Sequence, residues 1–309
     1  MKKSLVPCAL ALLLANGCSH GATPPTTPAA VQAALTDVHL LAEGAEPRHV
    51  YRYDTSAGRS ERFVIDVETL AAATATTGEA ALAGMHVQFE VSTGPTESLP
   101  GGGFRSPIAI ESVGFMVPGR SMQPDELARL SAEFSPLLGI RGTVDLDDRG
   151  RTVASNFQPV EGLDPALRVM LGNLRTSLVS VPLPEQAIGV GARWEVRRTF
   201  DLEGLSVEQT VTYTLTGEQD EVAHLQVVLR QSAPPRDFEN GSVSAYESTA
   251  LGDVMLDVRR LVPYSQVEMT TRMRSTLRSG GSSNEVDVET RRNVRVQRTE
   301  QTTTAPAAN

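Results

Sequence analysis

Along most of the chain, hydrophobic and polar residues alternate with a period of two. Met85, Val87, Phe89 and Val91 alternate with His86, Gln88, Glu90 and Ser92. Trp194, Val196 and Phe200 share one parity against Glu195, Arg197 and Thr199. Val207, Val211, Tyr213 and Leu215 alternate with Glu208, Thr210, Thr212 and Thr214, and Ala223, Leu225, Val227 and Leu229 with His224, Gln226 and Arg230. Val267, Met269 and Met273, then Val286 and Val288, repeat the pattern against charged and hydroxyl residues. Successive side chains of a strand point to opposite faces, so each run predicts a strand with one buried and one wet face, as in antiparallel sheets. Turn residues separate the runs at "DDRG" (147–150), "TGEQDE" (216–221) and "SGGSSN" (279–284). The last predicts a hairpin between two long strands.

Two segments carry a helical period instead. In 123–138, Pro124 suits a first turn, Asp125 and Glu126 follow it, and Leu127, Leu130, Phe134 and Leu137 share one face. In 164–178, Asp164 is an N-cap, Pro165 takes the first helical position, and Leu167, Met170, Leu171, Leu174 and Leu178 form a stripe. The stretch 69–83 is ambiguous, since its alanines favour helix while its threonines and Gly78 oppose it. Residues 98–107, with three consecutive glycines, are expected to form a loop.

The chain begins with Lys2 and Lys3, then an apolar stretch from Leu5 to Ala15 that ends at Gly17-Cys18. That stretch falls short of the roughly 20 residues a spanning helix needs, and reads as a signal peptide over 1–17. The boundary resembles the lipobox of bacterial lipoproteins, although Leu14 stands four places before the cysteine rather than three. Ordinary signal cleavage after Gly17 is the competing reading. Of the two cysteines, Cys8 would leave with the signal, so the mature chain could form no internal disulfide. Lipidation would account for the remaining one, Cys18. The resemblance implies export and a membrane anchor, and Ser19 after the cysteine hints at the outer membrane, facing the periplasm. Residues 18–34, rich in Pro and Thr, read as a disordered tether. Residues 35–300 are then expected to form one domain, with a disordered tail at 301–309.

Composition is globular, with 40% hydrophobic and 21% charged residues. A net charge of −9, without a basic stretch, argues against nucleic acid as a partner. Alternation also fits an outer-membrane barrel. Aromatics at 5% are too few for interfacial girdles, and the chain ends on a Thr/Ala tail and Asn309, so that reading is set aside. The histidines, His20, His39, His49, His86 and His224, lack metal-ligand spacing, and His86 and His224 fall on polar strand faces. No nucleophile elbow or phosphate-binding glycine loop is present. Asp145 and Asp147 share parity and could pair as carboxylates, but "DLDDRG" (145–150) reads first as a hairpin turn rather than a calcium loop. No catalytic residue, metal or cofactor is therefore expected.

The segment 181–196 holds the single tryptophan. Pro184, Ile188, Gly191 and Trp194 resemble a Pro-x-x-x-Val-x-x-Gly-x-x-Trp element of uncharacterised bacterial lipoproteins. There, too, it follows an Asp-x-x-Gly hairpin (here 145–153) and a helix (here 164–178), and precedes antiparallel strands. Such sequences are similar to lipoprotein carriers and lipid-binding lipoproteins. The resemblance implies an α+β, mainly antiparallel fold: a strongly curved sheet forming an unclosed barrel, its concave side covered by about two helices. It also implies binding of a lipid or other apolar molecule between sheet and helices, or else holding a partner protein with a sealed core. Trp194, Leu167, Met170, Leu171 and Leu174 are the candidate ligand contacts, and a plain core role competes for Trp194. Large inward residues (Phe89, Trp194, Phe200, Tyr213) would fill the half-barrel, while small ones (Ala109, Gly114, Ala223) would leave room.

Overall fold

A computed structural model describes residues 37–54, 60–75, 80–100, 102–117, 123–157, 180–202, 204–279 and 282–299. The strands are β1 (Asp37–Ala42), β2 (Glu61–Ala75), β3 (Ala80–Thr93), β4 (Glu97–Ser98), β5 (Phe104–Met116), β6 (Arg141–Leu146) and β7 (Thr152–Phe157), then β8 (Arg193–Leu202), β9 (Leu205–Gln219), β10 (Val222–Ala233), β11 (Arg236–Phe238), β12 (Gly241–Asp257), β13 (Tyr264–Ser279) and β14 (Ser282–Arg298). All belong to one antiparallel sheet of order β1-β8-β9-β10-β12-β13-β14-β2-β3-β5-β6-β7, with β11 added to β12 and β4 to β5. Two meanders, β2 to β7 and β8 to β14, join where β14 pairs with β2 from Arg298–Phe63 to Val286–Ala75. The end strands β1 and β7 do not pair with each other, so the sheet is unclosed.

The alternating runs lie where the strands are. The expected hairpin closes at Ser279–Ser282 between β13 and β14. Residues 216–221 are mostly strand: β9 runs to Gln219, and Asp220 and Glu221 alone turn, at φ 51° and 63°. The ambiguous segment resolves as strand, with β2 extending to Ala75 and β3 starting at Ala80. The alanines of β2 are held by neighbours on both sides, β14 and β3, whose pairing overrides helix propensity. The expected loop at 98–107 is shorter than its glycines suggested. Gly102 and Gly103 take φ of 96° and 86°, and β5 begins at Phe104. Phe104 and Ser106 face the core, and Arg105 on the opposite face binds Asp145 with both ends of its fork at 2.7 Å.

Among the described residues there is one α-helix, α1 (Pro124–Phe134), continued by a 3-10 turn over Ser135–Leu137. Of the two helices expected, this is the first; the second, 164–178, lies outside the described residues. Pro124 opens α1 and Asp125 and Glu126 occupy its first turn, where carboxylates suit the amide dipoles. Leu130, Phe134 and Leu137 are buried, with Phe134 4.7 Å from Phe115 of β5. Leu127, one turn earlier, is exposed. No helix among the described residues is long and apolar enough to cross a membrane.

The inward side chains of strands from both ends of the sheet meet in one cluster. Leu40 and Trp194 contribute from one end, Val144, Leu146 and Phe157 from the other. Strands so far apart in order can share a core only if the sheet bends round. Two connecting segments then clasp the opposed edges. Gly189 and Ala45 lie so close that a Cβ on Gly189 would sit 1.9 Å from the Ala45 carbonyl. His49 and Ile188 exchange both backbone hydrogen bonds at 2.9 Å. On the far side, the Tyr53 amide donates to Asp148 O, and Leu183 N donates to Arg149 O in the β6–β7 turn. The buried Tyr53 hydroxyl accepts from Val181 N at 2.8 Å. Leu183, Ile188, Leu261 and Val262, all nearly inaccessible, fill this end of the bent sheet.

Candidate functional site

Antiparallel register aligns inward residues in rows across neighbouring strands. One row is Trp194, Tyr213, Val227, Gly252, Val267 and Val294, and the next is Val196, Val211, Leu229, Ala250, Met269 and Arg292. Beyond them, away from the clasp, lies a third: Arg198, Gln209, Gln231, Ser248, Thr271 and Thr290. Six strands in succession thus present a polar side chain at an inward position. A fourth row, Phe200, Val207, Ala233, Tyr246, Met273 and Val288, is again mostly apolar.

The polar row is tied together. Arg198 Nη2 donates to Gln209 Oε1 at 3.2 Å, and Gln231 Nε2 donates to the same oxygen at 2.7 Å. Tyr246 Oη donates to Gln231 Oε1 at 3.1 Å, and Ser248 and Thr271 share a hydroxyl hydrogen bond at 2.9 Å. Arg292 is different. It lies between Met269 and Thr69 on the adjoining strands, and no described residue makes a hydrogen bond or ion pair with its guanidinium. Burial lowers the pKa of both Arg198 and Arg292, while the hydroxyls of Tyr213 and Tyr246 respectively oppose that effect. Burial pushes Tyr213 itself up to about 12. Among the described residues, the inward positions of β2, β3, β8, β9, β10 and β12 to β14 hold two carboxylates: Glu218, opposite Ala223 at the end of β9 and bonded by Tyr51, and Glu61. Glu61 sits at the clasp, 3.7 Å from Arg260. Among these described positions, none next to Arg292 carries a carboxylate.

Trp194 is fully buried, stacks on Tyr213 at 5.4 Å and 18°, and donates its indole N–H to Pro182 O at 2.8 Å. It sits in the filled core beside the clasp. The spacing of its segment has a physical basis: Ile188 fills the clasp, Gly191 turns at φ 89°, and Trp194 enters β8 facing inward. Leu167, Met170, Leu171, Leu174 and Cys18 lie outside the described residues. Of the three small residues expected inside, Ala223 faces the core, but Ala109 and Gly114 pair with Ser92 and Gln88 and face outward. A bulge between Glu90 and Val91 in the β3–β5 pairing shifts the alternation there.

The remaining candidates are satisfied locally. Asp145 is held by Arg105, and Asp147 accepts from the amides of Arg149 and Arg151 and from Arg151 Nε at 2.6 Å, which makes 147–150 the expected turn. His86 meets Asp66 at 3.2 Å on the outer face, and His39 meets Asp37 at 2.6 Å in solvent. A surface depression of about 380 Å³ lined by Glu46, His49, Glu218, Asp220 and Glu221 has its acids engaged in part: Tyr51 donates to Glu218 at 2.5 Å and Arg259 to Glu221 at 2.7 Å. Among the described residues no three His, Cys, Asp or Glu side chains gather as a metal site.

The polar row had a sequence signal. In the alternating runs the inward places of 198, 209 and 271 are filled by Arg, Gln and Thr. Each looks like an isolated lapse until register sets them side by side. No protein-family model matches the chain, and no curated protein matches it.

Proposed function

We propose that the protein is an exported, lipid-anchored lipoprotein of the cell envelope that binds an apolar molecule on the inward face of its sheet and performs no chemistry on it. Cys18 carries the anchor, and Ser19 directs it to the outer membrane. The core reading of 35–300 as one domain belongs to the same proposal. The observation that carries ligand binding is the inward wall beyond the clasp. There Phe200, Leu229, Met269 and Met273 are only half-buried, in a sheet whose edges β1 and β7 leave it unclosed. Methionine is unbranched and polarisable, so such a wall adapts to acyl chains of varied shape. Each methylene placed there contributes about 0.8 kcal/mol.

Purification of the Cys18→Ala protein without detergent, followed by native mass spectrometry, tests this reading. Discrete added masses, or uptake of offered lipid, are expected. A clean spectrum with no uptake leaves the alternative, an interaction module with a sealed core. The anchor is tested separately. Cys18→Ala should move the protein from the membrane to the soluble fraction, and unchanged membrane association would refute lipidation.

A further inference from the structure

Arg292 stands on the inward wall in the row that also holds Leu229, Ala250 and Met269. Two rows away from the clasp, beyond the polar belt, lie Tyr246, Met273 and Val288. A half-buried guanidinium set in an apolar wall is costly unless something of opposite charge meets it. Within the protein nothing described does so: the carboxylates of β13 and β14, Glu268, Glu285, Asp287 and Glu289, project from the outer face, where the last three bind Arg272, Arg274 and Arg291. The inward carboxylates, Glu61 and Glu218, are engaged at the clasp by Arg260 and Tyr51. Arg198, Gln209, Gln231 and Tyr246 are linked to one another, and Arg292 stands outside that chain.

We infer that Arg292 binds the head of an anionic amphiphile, an acyl chain ending in a carboxylate, whose chain lies against Met269, Met273, Val288 and Phe200. This rests on the apolar-ligand reading above and adds the head-group chemistry. A guanidinium offers a planar pair of N–H donors that matches a carboxylate, and such charge-assisted pairs are the strong class of hydrogen bond. The polar belt supplies further donors to the same head: the hydroxyls of Ser248, Thr271 and Thr290 lie one row from Arg292. The wall on either side suits the chain.

Calorimetric titration of the Cys18→Ala protein, delipidated, with dodecanoate, dodecanol and acetate separates the possibilities. Dodecanoate should bind about tenfold to a hundredfold more tightly than dodecanol, the range expected of a charge-assisted bond, and acetate should not bind measurably. Arg292→Gln should abolish that preference and leave dodecanol affinity unchanged, whereas Arg292→Lys should retain part of it. Strand circular dichroism of each variant checks the fold, and the dodecanoate-to-dodecanol ratio of the parent protein decides the matter without any variant. Equal affinity for the two, or a preference that survives Arg292→Gln, overturns the head-group assignment and leaves the apolar reading standing. Acetate binding as tight as dodecanoate also overturns it, in favour of a site for free anions. Failure of both chain ligands to bind overturns the apolar reading itself.

Discussion

Replacing Trp194 by Phe separates a core plug from a ligand contact. The indole is fully inaccessible, stacked on Tyr213, and its N–H is the donor to Pro182 O at 2.8 Å. Phenylalanine keeps a ring in place but removes that donor. An acceptor deprived of its partner in such surroundings costs about 1–3 kcal/mol. The smaller ring also leaves a void of one or two methylenes, at about 0.8 kcal/mol each before relaxation. The expected loss is thus about 2–4 kcal/mol, a large part of the 5–15 kcal/mol typical of a folded domain. In a domain of this size that lowers Tm by about 5–15 °C. Because Trp194 is the only tryptophan, tryptophan fluorescence cannot follow the variant. Urea unfolding read by circular dichroism should show a lower midpoint at unchanged slope. A loss below about 0.5 kcal/mol, together with weakened lipid uptake, would refute the plug and make Trp194 a ligand contact.

Gly189→Ala should open the clasp: its Cβ would meet the Ala45 carbonyl at 1.9 Å and the Pro47 carbonyl at 2.8 Å, both rigid backbone. A loss of at least about 3 kcal/mol in urea unfolding is expected, whereas Gly217→Ala, where a Cβ meets nothing, should be far milder. Asp257 supplies a pH dependence. Burial by itself raises its carboxyl, but the Arg259 side chain at 2.9 Å and the Arg259 amide at 3.0 Å bring it net below the ordinary carboxylate value. A depressed folded pKa stabilises above the unfolded value of about 3.9 and loses that contribution as pH falls through the folded one. Stability should therefore drop less steeply below about pH 4 in Asp257→Asn than in the parent, as read from urea midpoints at pH 6 and pH 3, and identical profiles would refute the role.

Most strands were legible because half-buried antiparallel strands write their faces into the sequence, as in 85–91 and 207–215. What was not legible depends on distant partners. The alanines of 69–75 carry no strand preference of their own and are strands because Val286 to Thr290 of β14 pair with them. Ala109 and Gly114 were assigned to the wrong face because one bulge, invisible in the sequence, shifts the β5 alternation against β3. Trp194 and its glycine spacing could be singled out, but not that Gly189 meets Ala45, a contact 144 residues away in the chain. The candidate site was the least legible part. Arg198, Gln209 and Thr271 each interrupt a run on their own, and Arg292 sits in a stretch, "TRRNVR", that reads as solvated charge. Only the pairing of β8 through β14 places them on one wall.

The polar row bears on why one of its neighbours, and not the row itself, is the place to look for function. A slip of one residue in any strand would carry its polar member to the outer face and bring a charged or hydroxyl residue inward, so a row that satisfies itself helps fix register across the sheet. The links from Arg198 through Gln209 and Gln231 to Tyr246, and from Ser248 to Thr271, do this within the protein. Truncating Gln209 or Gln231 would strand buried partners and damage folding and binding together. Arg292 makes no hydrogen bond or ion pair with another described residue, and only the Tyr246 hydroxyl opposes its desolvation, in part. Its removal relieves a cost in the empty protein and withdraws a partner from an anionic ligand. Arg292 is therefore the position on this wall where loss of binding can be read apart from loss of stability.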